Sequence, residues 1–343
     1  MRSSSKNPNP TDKRYLANHP NKTAIMRVFV KRPLMRLTMA DLARLSGLSI
    51  EAVTEAISSL REDGILIKPY DLDRFYYEPC EEVLHPDAIA GNLSTRWWGS
   101  RIYCFDEISS TIDAAKTLME SGAVHGAVFA ANHQMRGRGR QGRAWNSPKG
   151  KDLLLTFSLQ LGEWEPPPSI LSIYAAAAVA RVFDTAYGIP CVIKWPNDLM
   201  AQGRKLGGVL VEKDFQCRTA LVSLGLNVHS GPSDWPLECR ETAVSLAMLK
   251  PEEWRRDLLL AQCGATWEAL WEASQNDRGE AIRGYWRRYE ISLGKKVRLL
   301  RLGREMMGVT QGIDELGRLL FTAEDGQRYS LLIEEVQQLR VLE

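Results

Sequence analysis

An arginine- and glycine-rich loop is the feature of the sequence best suited to binding an anion. Four arginines lie among three glycines in the run Arg136-Gly137-Arg138-Gly139-Arg140-Gln141-Gly142-Arg143. Glycine lets the backbone approach a ligand closely, and the forked guanidinium group matches carboxylate and phosphate oxygens. RNA-binding tails and solvated loops share this composition. Because the run lies between two strand-like segments well inside the chain, we interpret it as an active-site loop.

Two lysines and a carboxylate form a second group of candidate site residues. Lys194 precedes Trp195-Pro196-Asn197-Asp198, and Lys205 follows shortly after. Lysine supplies a compact positive charge, and the oxygens of Asn197 and Asp198 are of the kind that Mg²⁺ prefers. A strand-end lysine and an Asn-Asp turn after proline are also ordinary structural features. These residue types alone therefore leave both interpretations open.

The N-terminal region has the pattern of a winged helix-turn-helix. Residues 24–31, 39–46 and 50–63 are predicted to form short helices, the last two joined by a turn at 47–49. Thr38 and Ser49 are candidate N-caps, and apolar residues recur at helical spacing. The runs ILIKPY and RFYYEP that follow are strand-like and predict a small β-wing.

The rest of the chain predicts an α+β protein with a large central domain and a small C-terminal one. Strand-like runs alternate with helical runs at 112–121, 172–187 and 251–273, which indicates a mixed α/β domain. Closely spaced strand-like runs after residue 291 predict a small β-barrel. The expected parts are a disordered leader at 1–21, a winged helix-turn-helix at 22–84, a catalytic domain at 85–290 and a barrel at 291–343.

The bulk composition argues against wholesale binding to nucleic acid or membrane. Charged residues make up 25% of the 343 residues, yet the formal net charge is only +2. The six cysteines form no Cys-x-x-Cys pair, so neither a zinc site nor a disulfide framework is indicated. The most apolar run, residues 173–183, is interrupted by Arg181 and is too short to cross a membrane. These features, with an N-terminus that lacks an apolar signal segment, predict a cytoplasmic protein without a membrane partner.

Three motifs occur in the order and spacing found in biotin–protein ligases. Residues 137–145 resemble the GRGRxGRxW loop of that family, residues 194–199 its KWPNDL motif, and residues 205–212 its KLxGIL(V)E motif. Residues 225–228 resemble the glycine–asparagine segment that follows. The flanking regions are similar to those of the bifunctional subclass, in which the ligase is also a biotin-operon repressor. The resemblance implies a central domain like that of class II synthetase-like biotin/lipoate ligases and an SH3-like C-terminal barrel.

The resemblance implies an ATP-dependent, AMP-forming biotin–[acetyl-CoA-carboxylase] ligase. Biotin and ATP, with Mg²⁺, would form biotinyl-5'-AMP and pyrophosphate, and a lysine of the biotin carboxyl carrier protein would then accept the biotinyl group. The residues expected in catalysis are Lys205, Arg140, Lys194 and Asp198, with Asp198 as the Mg²⁺ ligand. Those expected to bind biotin are Ser110, Thr111, Gln134, Arg138, Gly139, Arg140, Lys205, Gly207 and Gly208. Those expected at ATP or the adenylate are Arg138, Arg140, Arg143, Trp145, Lys194, Asn197 and Asn227.

One position departs from the family pattern. Ile112 replaces the asparagine that is usual after the Ser-Thr pair. We therefore expect one polar contact to biotin to be missing, whereas the pocket itself is still expected. Ser110 could serve only as a helix cap, and Trp145 only as a core residue. Arg138 and Arg140 are expected to order over the adenylate and shield it from water until the acceptor lysine arrives. The sequence shows no Ser/His/Asp or Cys/His set, so no covalent enzyme intermediate is expected.

The third predicted helix makes DNA binding an open question. It carries Glu51, Glu55, Glu62 and Asp63 against Arg61 alone, whereas recognition helices usually present basic or amide side chains. Basic residues nearby could supply contacts to the DNA backbone. The resemblance implies an operator-binding repressor whose homodimer is promoted by the adenylate. Three alternatives remain: a lipoate–protein ligase, a non-catalytic biotin-sensing transcription regulator and, more distantly, an RNA-binding protein.

Overall fold

The structure, a computed structural model, describes residues 14–16, 19–80, 82–120, 122, 124–214, 218–251 and 254–342. Most of the predicted leader, and Cys217, lie outside these residues. The helices are α1 Pro20–Val30, α2 Met39–Ser46, α3 Ile50–Glu62, α4 Pro86–Asn92, α5 Thr111–Met119, α6 Pro168–Tyr187, α7 Leu246–Leu249, α8 Arg256–Asp277 and α9 Glu280–Tyr289. The strands are β1 Arg14–Leu16, β2 Leu37–Thr38, β3 Ile67–Pro69, β4 Arg74–Tyr77, β5 Arg101–Phe105, β6 Ala127–Ala131, β7 Leu153–Gln160, β8 Val192–Lys194, β9 Asp198–Ala201, β10 Arg204–Asp214, β11 Thr219–Leu226, β12 Lys296–Arg301, β13 Arg304–Ile313, β14 Leu319–Ala323, β15 Arg328–Leu331 and β16 Val336–Val341.

Three helices and a small sheet form the N-terminal unit. α2 begins with a capping box, in which the Thr38 hydroxyl accepts a hydrogen bond from the Asp41 backbone N–H at 3.0 Å and the Asp41 carboxylate accepts from Thr38. Gly47 ends α2 in the left-handed region at φ 74°, and Ser49 caps α3. Apolar side chains of the three helices share one core, and β2, β4 and β3 form an antiparallel sheet in that order. The helices predicted at 39–46 and 50–63 are thus confirmed.

An eight-stranded sheet forms the centre of the molecule. Its order is β1-β5-β6-β7-β11-β10-β9-β8, and of the described strands only β5 and β6 pair in parallel. α6 packs on one face and is buried along most of its length, because its apolar residues surround the helix on all sides. α8 and α9 pack beside α6, and α5 covers the other face. α6 is also long and apolar enough to cross a membrane, but 78% of its most apolar stretch is buried inside the protein, as expected of a core helix.

The C-terminal residues form a five-stranded antiparallel sheet in the order β15-β14-β13-β12-β16. Its apolar face joins the core of the central domain. Two hydrogen bonds fix the turn between β13 and β14 to that domain: the Ser169 hydroxyl donates to the Leu316 carbonyl oxygen at 2.5 Å, and Trp195 Nε1 donates to the Gly317 carbonyl oxygen at 3.1 Å. This docking brings β16 beside the ends of the central strands.

Several expected boundaries are wrong. The predicted leader contains a strand at Arg14–Leu16, and α1 begins at Pro20 rather than at residue 24. The helix expected at 251–273 begins at Arg256 and ends at Asp277. α4, α9 and β16 are absent from the sequence-based prediction. Short elements such as α4 and β16 carry too little periodicity to be recognised alone, and tertiary packing decides them.

Candidate active site

Most of the predicted site residues meet in a cavity of about 700 Å³. Its walls are the N-terminal end of α5, the arginine loop (residues 136–143), the hairpin of β8 and β9, parts of β10 and β11, and one side of β16. This volume lies in the range of small-molecule and cofactor sites. The predicted residues that line the cavity are Ser110, Thr111, Gln134, Arg138, Gly139, Arg140, Arg143, Trp145, Lys194, Asn197, Asp198, Lys205 and Gly208.

A carboxylate between two ammonium groups lies in this cavity. Asp198 begins β9, where the antiparallel register places it opposite Lys194 of β8. Lys205 Nζ donates to Asp198 Oδ1 at 2.5 Å, and Lys194 Nζ lies 3.2 Å from Asp198 Oδ2. Burial by itself raises the pKa of Asp198, but the two ammonium charges outweigh burial and lower that pKa. Asp198 is therefore ionised at neutral pH, and two ammonium groups against one carboxylate leave the cavity with an excess of positive charge.

Glycines shape the floor beneath Lys205. The pairing of β10 with β9 slips between Lys205 and Gly207. A Cβ on Gly208 would lie 3.5 Å from Lys205 Nζ, whereas a Cβ on Gly207 would lie 2.8 Å from the Gly225 carbonyl oxygen. Gly208 therefore keeps space open beside the lysine, and Gly207 allows two strands to approach each other.

The arginine loop is anchored by two acidic residues that lie outside the loop itself, Asp113 and Glu212, of which Glu212 ends the third motif. Arg138 donates to both carboxylate oxygens of Asp113 on α5, at 2.7 and 2.9 Å, and contacts Glu212 on β10 at 3.4 Å. The Trp145 backbone N–H donates to the Gly137 carbonyl oxygen at 2.9 Å and closes the base of the loop. The hydrogen bond from Arg138 lowers the pKa of Asp113 and raises that of Arg138, so both members of the pair stay charged.

Two further arginines join the loop to the C-terminal sheet. Arg140 donates to the Ile333 carbonyl oxygen at 2.5 Å and contacts Asn197 Oδ1 at 3.4 Å. Arg143 donates to the Gln337 carbonyl oxygen at 3.0 Å. Burial lowers the pKa of Arg140, although its guanidinium group remains protonated at neutral pH. The loop therefore spans the cavity from the central domain to the C-terminal one.

A second group of lining residues is neutral and polar. Ser110 is the N-cap residue of α5, but its side chain makes no capping hydrogen bond, so capping does not account for it. Gln134 Oε1 accepts from the Thr111 backbone N–H at 2.7 Å and from the Thr111 hydroxyl at 3.0 Å. The hydroxyls of Thr111 and Thr156 lie 2.8 Å apart, and those of Thr156 and Ser223 also 2.8 Å. Hydrogen-bonding groups thus connect α5 with the middle of the sheet.

Two larger apolar side chains complete the walls. Ile112 lines the cavity and is 2% exposed in the apolar cluster beneath α5. The ring of Trp145 has its centre 5.7 Å from Lys205 Nζ and packs against Gly225, where a Cβ would come within 2.6 Å of the indole. Within the described residues the buried Trp145 indole N–H has no hydrogen-bond partner. Trp145 therefore forms a wall of the cavity rather than part of a separate core.

The acidic residues around the cavity are too few to hold a metal ion by themselves, but they suit one that is already bound to phosphates and water. The described residues contain no group of three or more Asp, Glu, His or Cys side chains that could hold a metal. Asp198 is the acid that lines the cavity, and both of its oxygens already contact lysines. Mg²⁺ at nucleotide sites needs only one or two protein carboxylates, because phosphates and water supply its other ligands. The residues fit a nucleotide-borne metal and do not fit a metal cage built from protein groups.

Residues 104–229, which include the arginine loop and both lysines, match the Biotin/lipoate A/B protein ligase family. The chain is 30% identical over 209 residues to the biotin–[acetyl-CoA-carboxylase] ligase of Mycobacterium tuberculosis, covering 58% of this chain and 74% of that protein. The chain belongs to the biotin protein ligase family. It is accordingly a ligase enzyme, and the resemblance inferred from its motifs is confirmed.

Other biotin protein ligases extend the similarity in structure and in length. The solved biotin protein ligase from Aquifex aeolicus in complex with biotin and ATP has a TM-score of 0.61 and 26% identity, covering 70% of this chain and 98% of that one. The bifunctional ligase/repressor BirA of Bacillus subtilis is 28% identical over 283 residues, 82% of this chain and 87% of that protein. The latter similarity reaches well beyond residues 104–229.

Two of the predicted site residues do not line the cavity. Gly207 serves strand packing, as described above. Asn227 is buried, and its Nδ2 donates to the Val244 carbonyl oxygen at 3.1 Å. This hydrogen bond holds β11 against the segment that follows it, and the expected contact of Asn227 with a nucleotide stays a prediction.

Some contacts of this biotin protein ligase site carry no signal in the local sequence. Asp113 and Glu212 reach Arg138 only through the fold, and Thr156 meets Ser223 through the register of β7 with β11. The lining residues of β16 come from a strand that sequence periodicity does not reveal. Asp113, in the first turn of α5, could have been suspected of binding the arginine loop. The sequence could not show that it binds Arg138 and none of the other arginines.

Proposed function

We propose that this ligase joins biotin to ATP, giving biotinyl-5'-AMP and pyrophosphate, and transfers the biotinyl group to a lysine of a biotin carboxyl carrier protein. The observation that carries the proposal is the make-up of the cavity. Lys194, Lys205 and Arg140 supply positive charge for a carboxylate and phosphates, whereas Thr111 and Gln134 supply neutral partners for a ureido ring. Biotin carries a carboxylate and a ureido ring on one molecule. A relative with 26% identity has been solved with biotin and ATP bound.

In the first half-reaction, two anions must meet. A biotin carboxylate oxygen attacks the α-phosphorus of ATP, and the bond from that phosphorus to the bridging oxygen of the β-phosphate breaks. Lys205 suits the position between carboxylate and α-phosphate, since its ammonium group is already in the cavity and held by Asp198 at 2.5 Å. Each ammonium group has three N–H donors, so it can bind a ligand oxygen while it keeps its contact with Asp198. Lys194 and Arg140 are then placed to neutralise the phosphates.

In the second half-reaction, the amine of the acceptor lysine attacks the carbonyl carbon of the mixed anhydride, and AMP leaves. The adenylate must be kept from water until that lysine arrives. Arg140 and Arg143 can hold the arginine loop closed, because they bind backbone carbonyls of the C-terminal sheet. Both half-reactions proceed by direct attack of one substrate on the other, so the protein's part is to position the reactants and to supply charge.

Mg²⁺ enters this proposal with ATP. It would screen the phosphates and stabilise the leaving pyrophosphate. Asp198 as its ligand remains a prediction, since each Asp198 oxygen contacts a lysine in the structure. The protein's own contribution at this point is to keep two ammonium groups and one carboxylate in fixed positions.

We also propose that the N-terminal unit is a winged helix-turn-helix of a biotin-responsive repressor, and that the C-terminal sheet is an SH3-like barrel. The named function of the Bacillus subtilis relative, ligase and repressor, supports the first point. The outer side of α3 exposes Glu51 and Glu55, and Arg61 is the one basic residue that α3 offers for DNA contacts. Exposed Arg27, Lys31 and Arg36 would have to bind the phosphates. A cytoplasmic location and an adenylate-promoted homodimer belong to the same proposal.

Incorporation of labelled biotin into a purified carrier domain, with ATP and Mg²⁺, tests the ligase proposal. Wild type should label the carrier, and Lys205→Ala should lose most of that activity. Lys295→Ala is the matched control, because Lys295 is exposed and does not line the cavity. Labelling with lipoate instead of biotin would favour a lipoate ligase. Biotin binding without ATP turnover would favour a non-catalytic regulator.

Selection from a random duplex library tests the repressor proposal. Binding should require biotin and ATP, should weaken steeply with salt, and should coincide with dimer formation in sedimentation experiments. If no sequence is enriched while the ligase is active, the N-terminal unit has a role other than DNA recognition.

A further inference from the structure

Three hydroxyl groups form a chain that runs from the cavity wall into the sheet and back to the cavity. Thr111 and Ser223 line the cavity, whereas Thr156 between them is fully buried on β7. The chain ends on Gln134 Oε1, which Thr111 contacts at 3.0 Å. Neither Thr156 nor Ser223 belongs to the motifs by which the sequence suggests a biotin site. The chain therefore has to be explained from its own geometry.

The direction of every hydrogen bond in this chain follows from one backbone group. The Thr111 N–H donates at 2.7 Å to the Gln134 side chain, so the atom it meets must be the oxygen of that amide. That oxygen can only accept, and the Thr111 hydroxyl must donate to it or face it with a lone pair. Thr111 then accepts from Thr156, and Thr156 accepts from Ser223, because each hydroxyl has one proton.

This order leaves the two ends of the chain with opposite properties. Ser223 has given its proton to Thr156, so it presents only acceptor lone pairs to the cavity. Gln134 has its oxygen engaged, so the amide's remaining capacity is the N–H donors of Nε2. A cyclic urea carries both complementary groups, a carbonyl acceptor and flanking N–H donors. A dithiolane ring of the lipoyl type carries neither.

We propose that Ser223 is a specificity-determining residue that accepts a hydrogen bond from one ureido N–H of biotin, and that Thr156 is a positioning residue that fixes Ser223 as an acceptor. The proposal rests on biotin being the substrate. It assigns to this chain a contact beyond the Ser110, Thr111 and Gln134 set that the motifs imply. It also offers a polar contact in a pocket where Ile112 has replaced an asparagine.

The first test is the KM for biotin, measured beside the KM for ATP. Ser223→Ala should raise the KM for biotin by about tenfold, the effect of losing one hydrogen bond to a ligand. The KM for ATP should not change, and Ser223→Thr should restore much of the biotin affinity. Ser158→Ala is the matched control: Ser158 is a buried hydroxyl on β7, the strand of Thr156, and its hydrogen bonds go to the segment before β6 and to β6 itself.

The second test separates a contact from a structural effect. Wild type should discriminate against biotin methylated on one of its two ureido nitrogens more than on the other, and Ser223→Ala should lose that difference. Thr156→Val should also raise the KM for biotin, because the released Ser223 proton would meet the ligand's N–H. The double variant should be no worse than the worse single one, since both changes act on the same contact.

The outcomes distinguish this proposal from the function on which it rests. If wild type incorporates biotin but Ser223→Ala keeps its KM and its discrimination between the methylated analogues, the Ser223 contact is wrong and the ligase stands. If Ser223→Ala and Ser158→Ala raise the KM equally, the effect is structural and the proposal also fails. If wild type does not incorporate biotin, the proposed function and the contact fall together.

Discussion

Replacing Asp198 with asparagine should reduce adenylate formation without abolishing the fold. Asparagine keeps the shape of the side chain but removes the charge that holds Lys205 at 2.5 Å and Lys194 at 3.2 Å. At an effective dielectric constant of about 20, these contacts correspond to roughly 7 and roughly 5 kcal/mol of gross Coulomb energy. Solvent contact and the cost of desolvation remove most of that, since the Lys205 side chain is 39% exposed.

The net effect is best judged from the freedom that the lysines regain. A lysine released from a fixed rotamer recovers about 2 kcal/mol of side-chain entropy, which must be lost again in the transition state. A barrier higher by about 2 kcal/mol slows a reaction about 30-fold. We therefore expect Asp198→Asn to lower kcat/KM for biotin- and ATP-dependent pyrophosphate release by about 30-fold, with a smaller effect on the stability of the protein.

Measuring pyrophosphate release over a range of Mg²⁺ concentrations separates this explanation from metal binding. If Asp198 positions the lysines, the loss persists at saturating Mg²⁺. Recovery of the rate at high Mg²⁺ would refute the positioning role and identify Asp198 as the metal ligand. Asp184→Asn is the control, because Asp184 forms an ion pair with Arg288 and neither residue lines the cavity.

Three further predictions concern the arginine loop, the indole of Trp145, and the buried residues His85 and Asp87 at the start of α4. Arg140→Gly should release free biotinyl-5'-AMP about tenfold faster, because a hydrogen bond from a charged group to the Ile333 carbonyl is lost; equal leakage would contradict the closing role. Gly225→Ala should displace Trp145, lowering the unfolding free energy by about 1–3 kcal/mol and kcat/KM with it; unchanged activity would contradict this packing. Burial raises the pKa of Asp87 to about 6 and lowers that of His85 to about 4, so between these values rising pH costs stability at Asp87 and adds it at His85. In urea titrations the unfolding free energy of Asp87→Asn should therefore rise by about 3 kcal/mol from pH 4 to 6.5. In the wild type the contributions of His85 and Asp87 nearly cancel over this range. An unfolding free energy of Asp87→Asn that does not depend on pH would contradict these pKa shifts.

The residues that could be predicted from the sequence are those whose spacing is local. Lys194 and Asp198 end and begin two strands of one hairpin, so a short motif already fixes their distance. The arginine loop is closed by hydrogen bonds between Gly137 and Trp145, again within one motif. Helices α2 and α3 were predictable for the same reason, because caps and apolar spacing are properties of a few neighbouring residues.

The residues that could not be predicted are held in place by distant parts of the chain. Arg138 is predicted to bind biotin and the adenylate, but the sequence does not show that it also binds Asp113 and Glu212, 25 and 74 residues away. Asn227 lies in a motif but is not among the residues that line the cavity, and its amide satisfies a buried backbone carbonyl. Motif membership therefore indicates that a residue matters to the site, and only the fold decides whether it touches the ligand or supports a residue that does.

The contacts of Arg140 and Arg143 explain why the C-terminal sheet escapes a motif search although it completes the site. Both arginines bind backbone carbonyls, of Ile333 and Gln337, and every residue type offers a carbonyl. These two contacts thus depend on where the backbone of Ile333 and Gln337 lies and not on which side chains stand there. That place depends on the docking of the turn before β14 against α6 and Trp195. The contacts of the arginine loop with Ile333 and Gln337 require the C-terminal sheet to be docked, so we expect the central and C-terminal domains to act together as one catalytic unit.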